Sequence, residues 1–181
     1  MTAKIISLNS FISKKKECTS LDDFLKRASK LKKEVEENHK GLIIVSKNDL
    51  EKIFETRLNC FLLENNLIAV EYFVCAMFIA SLLRETGFSV PESWYAVDYF
   101  IENQEKADPK LLLDGANVCF LLTTIFTKRC EKRGMKRSDY VSMGTGLYGN
   151  FYNQTGKDFA YYMSSLFDEM SDATSECLKA L

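Results

Sequence analysis

The chain has one histidine, two prolines, eight glycines and no two cysteines at C-x-x-C spacing. Each scarcity excludes something. Ser-His triads and H-E-x-x-H zinc sites would have to rest on His39 alone. Glu36 and His39 stand at the i, i+3 spacing of carboxylate-bridged metal bundles, but such bundles need two Glu-x-x-His pairs. His39 therefore reads as the solvated end of a helix, and no metal or other cofactor is expected. The cysteines (Cys18, Cys60, Cys75, Cys119, Cys130 and Cys177) form neither a zinc ribbon nor a dense disulfide framework. Cys60, Cys75 and Cys119 fall in apolar helical patterns, where a reduced thiol behaves as a small hydrophobe. Reduced cysteines point to the cytoplasm.

Charge of one sign is also missing. Lys and Arg number 24 against 25 Asp and Glu, which leaves a formal net charge of −1. No global field draws in nucleic acid, and none is expected as a partner. Nor is there a long enough apolar run. Leu67–Leu83 contains Glu71 and falls short of the roughly 20 residues that a membrane span requires. The N-terminus is broken by polar residues before it reaches the apolar length of a signal peptide.

What is present is helical. With so few breakers, 181 residues predict one all-α domain: an arm over 1–19, then a bundle of about seven helices over 20–181. Ser20 with Asp23 caps a helix to about residue 40. A short apolar connector, Leu42–Val45, follows. Ser46 with Asp49 opens the second helix, which Asn65-Asn66 interrupts. The third, about 67–86, is apolar nearly all round. Ser89-Val90-Pro91-Glu92 predicts the start of a fourth that reaches about 105. Asp108-Pro109 opens a fifth to about 133, Ser138 a sixth to about Asn153, and Thr155 a seventh to the C-terminus. The third and fifth form the expected central apolar pair. The seventh carries a seam of Phe159, Met163, Leu166, Met170, Ala173 and Cys177, which suits packing within the bundle or a subunit interface.

Four features invite a chemical reading. Gly144-Thr145-Gly146-Leu147-Tyr148-Gly149 spells G-x-G-x-x-G, but no strand precedes it, so a phosphate loop is not expected. Ser142, Gly146, Gly149 and Asn153 instead suggest a small-residue helix face that lets a neighbour approach closely. Residues 128–137 hold six basic side chains and one acidic one, which reads as a solvated helix end favourable to the helix dipole. Glu71, Asp114 and Asn117 interrupt the two most apolar helices. Two facing acids there would suit general acid–base work, whereas pairing or a wet helix edge would be structural. The second half is rich in aromatics, and Trp94 and Tyr99 with the central helices are candidates to line a small apolar or aromatic ligand pocket.

The stretch Leu113-Asp114-Gly115-Ala116-Asn117 through Phe120, Leu121 and Phe126, then Arg133-Gly134, Tyr140, Met143-Gly144 and Tyr148, resembles an uncharacterised family of small all-helical bacterial proteins. The likeness covers roughly the last 70 residues. It departs from the family at Thr127-Lys128-Arg129, where a Pro-Glu or similar element is expected. It implies an intracellular bacterial helical protein and brings no activity or site residues.

The functional expectation is a non-catalytic protein-interaction or regulatory module, a homodimer or a binder of another protein, through the last helix or the N-terminal arm. The alternatives are a ligand pocket formed by Trp94, Tyr99, Glu71, Asp114 and Asn117, and an enzyme using Glu71 and Asp114.

Overall fold

The structure, a computed structural model, describes residues 20–38, 47–87, 91–132 and 135–179. The arm, His39, the connector Leu42–Val45 and the proposed cap Ser89 lie outside the described residues. The described residues form nine helices and no strand: α1 Leu21–Asn38, α2 Lys47–Glu64, α3 Val70–Thr86, α4 Ala96–Lys106, α5 Pro109–Thr124, α6 Thr127–Lys132, α7 Arg137–Thr155, α8 Asp158–Ser165 and α9 Phe167–Lys179. No helix among them is long and apolar enough to cross a membrane.

Several boundaries follow the local chemistry of the sequence. The Ser20 backbone N–H donates to Asp23 Oδ2 at 3.2 Å, and the Asp23 N–H donates to Ser20 Oγ at 3.3 Å, a reciprocal cap. Asn66 ends the α2 turn in the left-handed region at φ 57°. The Asp108 carboxylate accepts from the Lys110 N–H at 2.9 Å, with Pro109 in the first turn of α5. Gly156, at φ 64°, stops α7, a backbone conformation that glycine adopts without Cβ strain.

Seven expected helices become nine because two of them break. The fifth breaks at Ile125–Phe126, where both N–H groups return to the Leu121 carbonyl, at 3.0 and 2.9 Å. Just before the break, the Thr123 and Thr124 hydroxyls bond back to the Phe120 carbonyl, at 2.9 and 2.7 Å. Such back-bonding weakens and bends a helix. The seventh breaks at Leu166, at φ −112° and ψ 15°. The fourth helix starts at Ala96 rather than near Pro91. Ser93 holds the entry instead: its Oγ donates to Asp98 Oδ2 at 2.7 Å and accepts from the Tyr95 N–H at 3.0 Å.

The core lies where α5 packs on α7, α4 and α9, and where α3 packs on α2 and α8. Aromatic rings run through it. Phe78 stacks on Phe159 at 4.6 Å and meets Tyr148 edge-on at 6.0 Å, and Phe120 meets Phe167 edge-on at 5.5 Å. Gly144 lets α7 come close at this point. A Cβ there would stand 2.4 Å from the Phe167 ring and 3.0 Å from Cys119 Cβ. The expected small-residue face is corrected accordingly. Ser142 and Asn153 are exposed, Gly146 has nothing within 4 Å, and Gly149 meets Ser164 Oγ at 3.3 Å. The tight approach belongs to Gly144, on another side of α7. On the far side of the bundle, Arg27 of α1 clamps the buried carboxylate of Glu55 on α2 with two hydrogen bonds, of 2.6 and 2.9 Å.

Candidate functional site

G-x-G-x-x-G lies wholly inside α7. Its backbone N–H groups are therefore in the middle of a helix, away from the free N–H groups of a helix start, and cannot cradle a phosphate. The basic segment is only partly the solvated end that its sequence suggests. Arg137 reaches Asp168 and Asp172 of α9, each at 2.6 Å. The Arg129 guanidinium lies over Trp94, 4.8 Å from the ring centroid.

Of the five candidate ligand residues, Tyr99 and Asp114 lie beside each other, and Trp94 and Asn117 have partners of their own. The Trp94 ring meets Phe126 at 4.7 Å, so Phe126 and Arg129 occupy space beside it. Tyr99 is buried. Its hydroxyl donates to the Ser93 carbonyl at 3.1 Å and accepts from the Ser93 N–H at 2.9 Å. Burial pushes that phenol up, against the Ser93 bond, which lowers it. Asn117 accepts the Tyr148 hydroxyl at 2.7 Å. Tyr148 is fully buried, and loss of water raises its phenol well above the ordinary value. Asn117 thus satisfies a core phenol.

Glu71 and Asp114 face different neighbours. Glu71 is exposed in the first turn of α3, and its charge is felt by Tyr72, Cys75 and Tyr162. Asp114 is half-buried on α5 beside Tyr99, with Lys110 Nζ at 3.8 Å. Burial pushes the Asp114 carboxyl up to about 6; Lys110 opposes the rise, and Glu92 and Asp108 add to it. A carboxyl in that range suits proton transfer near neutral pH. The acids whose charges add to this rise are Glu92 and Asp108.

The seam expected on the last helix is split between α8 and α9 and turned inward. Phe159, Met163, Met170 and Ala173 are all buried. A different helix presents apolar surface. Ala96, Tyr99 and Asn103 of α4 are buried against α5, and Gly115 allows the close fit, because a Cβ there would stand 3.1 Å from Tyr99 Cβ. On its other side, Val97, Phe100 and Ile101 are 46%, 40% and 55% exposed, and Tyr95 before the helix is 59% exposed. Residues 97, 100, 101 and 104 follow the i, i+3, i+4, i+7 spacing of one helix face. Asp98 and Glu105 are exposed along one edge of it, and Glu102 pairs with Lys106. The fourth helix expected from the sequence spans these apolar residues, but its bounds do not separate its two faces. The signal was available, because α4 has two apolar stripes and an edge helix buries only one.

Comparison of the chain with protein-family models, with curated proteins and with solved structures finds no match. The functional reading therefore rests on this geometry.

Proposed function

We propose that this chain is a non-catalytic protein-interaction module that pairs with a second copy of itself. The outer face of α4 in one copy receives the segment over residues 4–16 of the other. The observation that carries this reading is the cluster of Val97, Phe100 and Ile101, exposed together on a helix whose opposite face is already packed. Contiguous exposed apolar surface of this kind, rimmed by charge, marks interaction sites.

Charge complementarity selects the occupant. The rim of α4 is acidic, with Asp98, Glu102 and Glu105 against the single base Lys106. Two such faces would repel each other. Residues 1–16 supply the opposite chemistry: Ile5, Ile6, Leu8, Phe11 and Ile12 with Lys4, Lys14, Lys15 and Lys16, and no acidic residue. The arm joins the fold at Ser20, beside α1, which packs on α2 and α3, whereas α4 packs on α5. In this reading it is a second copy's arm that lies on α4.

The test mixes full-length chain at natural isotopic abundance with nitrogen-15-labelled chain and applies an amine-to-carboxylate cross-linker. The expected product joins Lys14, Lys15 or Lys16 of one label to Glu102 or Glu105 of the other. Links confined to one label, or none between these segments, overturn the reading.

A further inference from the structure

The cysteines differ in their surroundings. Cys75 and Cys119 are completely buried in α3 and α5, and burial raises both thiols, Cys119 to about 12. Such thiols are inert. Cys60 on α2 and Cys177 on α9 are only half-buried, on two helices that pack together. The Cys177 thiol donates to the Arg57 carbonyl oxygen at 3.7 Å. Helical side chains tilt toward the N-terminus, so a residue covers the turn that precedes it. Cys60 stands at i+3 from Arg57, one turn further along the same side of α2. Charge on Cys60 would push the Cys177 thiol further up.

We infer that Cys60 and Cys177 form a modification site, a thiol pair that closes to a disulfide between α2 and α9 when it meets a small-molecule disulfide of the glutathione type. In the first step the Cys60 thiolate attacks one sulfur of the small disulfide. A mixed disulfide forms, and one small thiolate leaves and takes up a proton. In the second step the Cys177 thiolate attacks the Cys60 sulfur, the protein S–S bond forms, and the second small thiolate leaves. The protein gives up two electrons and two protons, and the small disulfide is reduced to two thiols. Cys177 is the resolving member, since burial pushes its thiol up to about 11 and leaves little thiolate for the first attack. The bond would staple the C-terminal helix to α2, closing the long loop between them.

The experiment incubates the full chain with oxidised glutathione, blocks the remaining thiols and digests with trypsin without reduction. The expected result is peptide 58–84 joined to peptide 158–179, with two thiols lost from six. Because peptide 58–84 also contains Cys75, the joined product must disappear in Cys60→Ser and in Cys177→Ser. It must persist in a Cys18→Ser, Cys130→Ser double variant. Glutathione retained separately on Cys60 or Cys177, or a link that survives Cys60→Ser, overturns the inference.

Discussion

The last helical segment and α4 make an instructive pair. Both carry clean apolar periodicity, and the seam of the first suits packing within the bundle or a subunit interface. The structure buries the stripe of α8 and α9 inside the bundle, with Met163 and Met170 wholly covered, and leaves Val97, Phe100 and Ile101 of α4 in contact with water. A stripe records that a face is apolar but does not identify its neighbour. The difference lies in how many helices surround each element: α9 touches α2, α3, α5, α7 and α8, whereas α4 lies on α5. Among the described residues, the helix with two apolar faces and α5 as its main neighbour is the one with surface to spare.

The contrast breaks most visibly under truncation of one ring on each helix. Phe167→Ala removes a ring packed against Phe120 and Tyr148 and is expected to cost about 3–5 kcal/mol. Phe100→Ala, on the outer face, is expected to stay within about 0.5 kcal/mol. Urea denaturation at a concentration where the chain is dissociated reads both; equal costs would erase the distinction. Next in size is Gly144→Ala. Its new methyl meets the Phe167 ring, and about 1–3 kcal/mol of overpacking is expected, measurable as a lower melting temperature. Gly146→Ala, on the open side of α7, supplies the control and is expected to be neutral or slightly stabilising.

The smallest effect concerns Asp114. Its carboxyl rises on folding from the ordinary 3.8 to about 6, so the native state holds that proton more tightly than the unfolded chain. The stability this contributes is complete below about pH 4 and is lost as pH rises through about 6. Asp114→Asn removes the titration. Relative to wild type, the variant is expected to gain stability between pH 4 and 7, and urea midpoints across that range check the sign. A difference that stays flat with pH would place the carboxylate in ordinary solvent.

Much of the fold was legible because helix starts have local chemistry. Ser20 with Asp23 and Asp108 with Pro109 behave as their sequences state. The breaks at Ile125 and Leu166 were not legible. They depend on hydroxyl back-bonding and on where neighbouring helices lie, and periodicity carries neither. Ser89 to Glu92 had the letters of a cap, yet Ser93 holds the entry and α4 starts at Ala96. The site was less legible still. Asn117 stands out in the sequence as a polar intruder in an apolar helix, but its partner Tyr148 lies 31 positions away. Glu71 and Asp114 look alike in sequence and differ only once burial is known. Cys177 and Arg57 are far apart in the chain and meet through the packing of α2 against α9.

The outer face of α4 is the proposed meeting place of this molecule and its second copy. Sedimentation equilibrium of the full chain at low-micromolar concentration, beside Ile101→Asp, tests it most directly. Ile101 is exposed, so the charge leaves the fold intact, as circular dichroism would verify. The account predicts a dimeric wild type and a monomeric variant; a monomeric wild type, or a dimer that Ile101→Asp leaves unchanged, contradicts it.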